Sequence, residues 1–278
     1  LRNKILYVYT ENLNFFYRVN RELNRFNVKF KVLSGLSKVR DVASVLLTTS
    51  EDILNFGVNY RKLKFLVYKE SDNFKYYIIK VLTAYRIGYK KSYSSLIFSI
   101  DPGSKQIGLI VFIDDYYLIS QTFYDKTGII DFIKDYIMCF QINNPNVLTL
   151  TFKFGSGVLP LTINLIERIF NLYQNRMLLK IYLIDESKSS KIKIQDIKKK
   201  FRTKHELSAL VLALRSGVEI KQTEFFKNFS QNKFHDSIQV KYPNNRGEFN
   251  STTINIQEVI DKLLNDEISL SESSSVFQ

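Results

Sequence analysis

Cysteine, histidine, proline and tryptophan are all scarce in this 278-residue chain: one Cys, two His, four Pro and no Trp. The lone Cys139 excludes an intramolecular disulfide framework, and without a CxxC pair there is no zinc knuckle. His205 and His235 are too few for a His-rich metal site. A bound metal would therefore rest mainly on oxygen ligands, which suits magnesium or manganese. Ten glycines and four prolines beside a large apolar and aromatic content exclude collagen-like and wholly disordered chains. No apolar run reaches the ~18–20 residues of a membrane span, and Asn, Glu and Tyr interrupt the amino-terminal stretch where a signal peptide would be continuously apolar. The chain reads as soluble and cytoplasmic, with no membrane partner.

What is present is an apolar and basic chain. Hydrophobic residues make up 45%, and 40 Lys+Arg against 27 Asp+Glu leave a formal net charge of +13. Such a chain buries real cores, and its length suits two domains at roughly 100–200 residues each. The positive balance favours polyanionic partners, DNA or RNA first among them, because Lys and Arg displace counterions condensed on phosphates.

Residues 1–92 alternate strand-like and helix-like patterns. Ile5–Tyr9, Val28–Leu33, Ser44–Thr48 and Leu63–Tyr68 read as strands. Phe16, Val19, Leu23 and Phe26 recur at helical spacing, Ser50 with Glu51 and Asp52 reads as a helix start, and a helix through Tyr76, Ile79, Lys80 and Thr83 ends near Gly88. This predicts a small three-layer α/β domain with a mostly parallel sheet. Its aromatics read as core, and it carries neither a GxGxxG nor a Walker-type loop.

Residues 93–219 have another rhythm. Leu96–Ile100, Gly108–Ile113 and Tyr117–Phe123 lie too close together for parallel crossovers and must be joined by hairpins. A helix over Gly128–Phe140, a strand over Val147–Phe154, a helix over Leu161–Tyr173, a strand over Leu179–Ile184 and a helix over His205–Ser216 stopped by Gly217 follow. The expectation is a mixed sheet of three antiparallel strands leading into two parallel ones. Residues 220–278 read as a loop-rich extension with a helix over Ile254–Leu264 and a disordered Ser-rich end from Ser269.

Asp101 stands at the carboxyl end of the first strand of this domain, where α/β folds open their clefts, and Pro102-Gly103 turns the chain there. The stretch Ile100-Asp101-Pro102-Gly103-Ser104-Lys105-Gln106-Ile107-Gly108-Leu109 resembles the opening motif of the RuvC/YqgF Holliday-junction resolvase group of the ribonuclease H-like superfamily. Phe154-Gly155-Ser156-Gly157-Val158-Leu159-Pro160, Leu183-Ile184-Asp185-Glu186-Ser187 and His205-Glu206-Leu207-Ser208-Ala209 match in the same order. The resemblance covers about residues 95–217 and implies a ribonuclease H-like fold. It also implies catalysis by Asp101, Glu186 and His205, with Mg²⁺ or Mn²⁺ held among Asp101, Asp185, Glu186, His205 and Glu206. A homodimer is implied in the same way. Two departures thin the ligand set: the fourth strand carries Lys153 instead of a carboxylate, and Ser208 stands in place of an Asp.

Lys188, Lys191, Lys193, Lys198, Lys199, Lys200, Arg202 and Lys204 cluster between the last strand and the last helix, with Lys105 and Lys153 beside the cleft. These ten residues are the expected nucleic-acid grip. The sequence thus predicts a metal-dependent nuclease hydrolysing phosphodiesters in structured or branched nucleic acid. The alternative is a non-catalytic nucleic-acid-binding or assembly protein with a degenerate metal site. Actin-like ATPases and sugar kinases rank last, since they need two such domains and a second phosphate loop.

Overall fold

The computed structural model describes residues 5–35, 45–55, 64–141, 148–174, 176, 178–186, 201–230 and 256–274. The chain divides into two compact units, Leu1–Lys91 and Ser92–Gln278.

In the first unit, β1 (Leu6–Val8), β2 (Phe30–Val32), β3 (Val45–Thr49) and β4 (Lys64–Tyr68) form a wholly parallel sheet in the order β2-β1-β3-β4. Helix α1 (Leu13–Arg25) starts at Asn12, whose side chain accepts from the Phe15 N–H, and buries Phe15, Val19 and Leu23. The stripe thus runs in steps of four from Phe15, and Phe16 and Phe26, expected on it, are half-buried. Helix α2 (Phe74–Ile87) is capped by Asn73 and stopped by Gly88 at φ +84°, the left-handed geometry that glycine adopts without penalty. Phe15, Tyr68 and Tyr77 pack ring against ring at 5.3–5.7 Å. The helix expected from Ser50 is a 3-10 turn over Asp52–Asn55. There the buried Asp52 carboxylate accepts from the Thr10 and Thr49 hydroxyls and the Glu11 N–H, so local side-chain bonds take the place of a longer helix.

The second unit is built on β5 (Ser95–Pro102), β6 (Ile107–Ile113), β7 (Tyr116–Phe123), β8 (Thr149–Gly155), β9 (Leu179–Ile184) and β10 (Val218–Glu219), in the order β10-β9-β8-β5-β6-β7. β6 runs antiparallel to β5 and β7, whereas β5, β8 and β9 are parallel. Asp114 and Asp115, both at positive φ, form the two-residue hairpin between β6 and β7, the backbone that matches strand twist. Helices α3 (Lys126–Gln141), α4 (Leu159–Leu172), α5 (Lys204–Leu214), α6 (Gln222–Ser230), α7 (Ile256–Leu264) and α8 (Leu270–Ser274) complete it.

Helix α5 is buried along almost its whole length. Its Leu207, Leu210 and Leu214 pack with Ile110 and Phe112 of β6 and with Ile260, Leu263 and Leu270 of α7 and α8. The Ser-rich end expected to be disordered is therefore partly helical. Leu270 and Ser273 are buried, and Glu272 accepts from the Ser269 N–H and hydroxyl to cap α8. Gly217 does not stop α5, which ends on Arg215 in an extended conformation. A Cβ at Gly217 would strike Ile184 and the Leu183 carbonyl, so glycine is needed there for the close passage of β10 along β9.

Candidate active site

The parallel strands β5, β8 and β9 end on one edge of the sheet, and the chemistry-bearing side chains gather there. Asp101, 6% exposed near the end of β5, places Oδ2 2.7 Å from His205 Nδ1, on the first turn of α5. Burial pushes the Asp101 pKa above its ordinary value, while hydrogen bonds from His205 and from the Ser208 side chain pull it back. Ser208 is three residues beyond His205 and so shares its helix face. The sequence shows it only as a missing ligand.

Glu186 follows β9. Its Oε1 accepts from the Gly157 N–H at 2.9 Å, in the Gly155-Ser156-Gly157 turn after β8. A Cβ on Gly155 or Gly157 would collide with the Glu186 carboxylate, so glycine at both positions leaves room for the carboxylate where it lies. Desolvation raises the Glu186 pKa; the Gly157 bond lowers it, and the charges of Asp101 and Asp185 push it up again. The Asp101 charge thus reaches Glu186 across the strand ends, although 84 residues separate the two in the chain. Arg215, unmarked by any motif, donates from its guanidinium to the Asp185 carbonyl at 2.9 Å and feels the charges of Asp185 and Glu186. It is the cation the sequence reading missed. A long charged residue just past a helix end was the available signal.

Other expected site residues lie elsewhere. Glu206 is not at the metal position: it is 1% exposed and its carboxylate accepts from Ser120, Thr122 and the Arg202 N–H on the far side of the helix start. Asp185 engages Arg215 through its carbonyl. Lys153 is no free surface grip, because its side chain is half-buried and its ammonium donates to the Ala213 and Arg215 carbonyls at the end of α5. It shares a cross-strand row with Ser99, whose hydroxyl bonds Ala209 O of the same helix. Alternation thus turns Lys153 under α5. Lys105, Arg202 and Lys204 are exposed, and Lys188, Lys191, Lys193, Lys198, Lys199 and Lys200 lie outside the described residues.

Among the described residues, no group of three or more His, Cys, Asp or Glu side chains is placed to share a metal. Asp101 and Glu186 nevertheless provide two hard carboxylate donors on one edge. That donor set fits Mg²⁺ or Mn²⁺ if water and substrate oxygens complete the shell. No helix among the described residues is long and apolar enough to cross a membrane.

No protein-family model and no curated protein matches the chain. Among solved structures, an exopolyphosphatase from Cytophaga hutchinsonii ATCC 33406 aligns over 59% of this chain and 55% of its own, at 15% identity and a TM-score of 0.14. The Aquifex aeolicus member of the Ppx/GppA family aligns over 73% and 69%, at 11% identity and a TM-score of 0.14. The chain spans little more than half the length of the Cytophaga protein. Neither neighbour is a resolvase. The RuvC/YqgF resemblance is therefore corrected, and with it the nuclease activity, the Holliday-junction substrate and the nucleic-acid-binding role. The geometry supplies physical reasons too: the Lys153 ammonium is taken up by two carbonyls of α5 and Glu206 belongs to a hydroxyl network, so two supports of that reading are absent.

Proposed function

We propose that the second unit is a divalent-metal-dependent hydrolase of phosphate bonds, acting on a phosphoanhydride such as pyrophosphate or inorganic polyphosphate. The observation that carries this reading is the 2.7 Å bond between Asp101 and His205, with Glu186 on the same strand-end edge. A carboxylate on Nδ1 favours the tautomer protonated there and leaves Nε2 to accept a proton from attacking water. The His205 side chain, 35% exposed, reaches solvent, whereas its Asp101 partner is almost wholly enclosed. Asp101 and Glu186 would hold Mg²⁺ or Mn²⁺, which when bound offsets negative charge on phosphate oxygens. Arg215 brings a planar guanidinium suited to paired phosphate oxygens, beside Glu186.

The strand order β9-β8-β5-β6-β7 also supports reading the sheet as ribonuclease H-like. The single, buried Cys139 suits a reducing cytoplasm. The test is phosphate release from pyrophosphate and polyphosphate with Mg²⁺ or Mn²⁺. Asp101→Asn is expected to lower the rate by about 100-fold or more. Release that is absent in the native chain, or undiminished in the variant, overturns the reading.

A further inference from the structure

The start of α5 is laid across a single row of the sheet. The register pairs Asp101 with Gly108 and Gly108 with Thr122, so these residues of β5, β6 and β7 lie side by side. Each meets a different part of the same helix turn. Asp101 takes His205 Nδ1 at 2.7 Å. Gly108 lies directly under the His205 carbonyl and the Glu206 nitrogen, where a Cβ would collide with backbone. Thr122 donates its hydroxyl to Glu206 Oε1 at 2.7 Å.

The next row on the same face repeats the pattern. Ser99, Ile110 and Ser120 are aligned, with Ser99 Oγ on the Ala209 carbonyl at 2.7 Å and Ser120 Oγ on Glu206 Oε2 at 2.8 Å. Glu206 Oε2 also accepts from the Arg202 N–H at 3.2 Å, and Thr203, which caps the helix by accepting from the Glu206 N–H, bonds Thr122 as well. Thr203 and Glu206 thus make one half of a capping box: the threonine accepts from the Glu206 N–H, while the glutamate takes the N–H of Arg202, one residue before the cap, and reaches across to β7.

A carboxylate at 1% exposure is costly unless fully bonded. Here its donors come from β7 and from the incoming chain, and the Thr203 hydroxyl of the helix cap bonds Thr122 behind them. Rotation or sliding of the helix start would break several of these bonds together. The adjacent residue, His205, is the one whose ring must meet Asp101 on the other side of Gly108.

We propose that Glu206 is a positioning residue: its bonds to Ser120, Thr122 and Arg202 fix the rotation of the first turn of α5 and so hold His205 Nδ1 on Asp101. The catalytic consequence rests on the hydrolase reading above; the positional one does not.

The experiment uses the full chain labelled with ¹⁵N-histidine, in native, Glu206→Gln and Thr122→Val forms. The two histidines are told apart by His235→Gln. The native chain is expected to show a low-field Nδ1 proton from His205, hydrogen-bonded to Asp101. Glu206→Gln should lose or broaden that resonance while its far-ultraviolet circular dichroism stays native, and kcat for phosphate release should fall about tenfold or more with KM little changed. Thr122→Val, which removes one donor only, provides the folded variant if Glu206→Gln does not fold, with weakening of the same resonance expected. Persistence of the resonance at native intensity in a folded variant overturns the proposal. Loss of the resonance in variants of a chain that releases no phosphate would uphold the positioning and reject only the hydrolase reading.

Discussion

At the level of single residues, burial decides which groups change with pH. Asp101 and Glu186 both have pKa values raised first by desolvation. A carboxyl group whose folded pKa exceeds its unfolded one binds its proton more tightly in the fold. Its stability contribution is complete below the unfolded pKa and is lost as pH rises through the folded pKa. Asp101→Asn should therefore raise the melting temperature relative to native protein at neutral pH, with the advantage shrinking on acidification; a constant difference across that range would count against it. If both carboxylates act ionised, the acid limb of the hydrolysis profile should lie above the ordinary carboxylate pKa of about 4. Lys153 behaves in the other direction: burial lowers its pKa from 10.5 to about 8. The unfolded chain then holds the extra proton between those values, so this group makes stability rise with pH from about 8 to 10.5. Lys153→Met should abolish that rise in urea titrations.

At the level of elements, two kinds of glycine divide stability from activity. Gly108 faces helix backbone, which cannot move aside without shifting α5. Gly108→Ala should cost about 1–3 kcal/mol by overpacking and lose the His205 low-field resonance. Gly157 faces the end of the flexible Glu186 side chain. Gly157→Ala should displace that carboxylate with a melting temperature near native, while phosphate release falls; thermal scans beside rate assays separate the two cases. Much of this level was legible beforehand. The strands of the second sheet alternate or run apolar over the expected stretches, and Asp101 before Pro102-Gly103 stands near the carboxyl end of β5. The glycines at 155 and 157 were visible as a motif, but their reason for being glycine was not, because the carboxylate that excludes a Cβ comes from another strand.

For the whole molecule, the carboxyl-terminal helices are part of the core. Ile260, Leu263 and Leu270 are buried against α5. Deleting residues 256–278 should expose about 1.5–3 kcal/mol worth of burial for each of these side chains. That truncation is expected to bind a hydrophobic dye and melt at lower temperature, and to reduce phosphate release because α5 carries His205. The low complexity of the serines concealed this, since Leu270 is the only strongly apolar residue between Ser269 and Ser275. The excess of positive charge, +13, belongs to this level as well: KM for a polyanionic substrate should rise with salt as the attraction is screened.

Sequence alone determined the α/β class, most of the strand and helix order of both stretches and the choice of Asp101, Glu186 and His205 as candidates, because periodicity, caps and turn residues are local signals. Only the tertiary structure decided which polar residues share a site. Lys153 and Glu206 look like cleft residues along the chain, yet strand alternation turns Lys153 under α5 and the seating of that helix buries Glu206. Arg215, with no motif around it, is brought beside Glu186. Side-chain direction and long-range packing are properties of the assembled sheet and helix, and nothing in the spacing of residues along the chain encodes them directly.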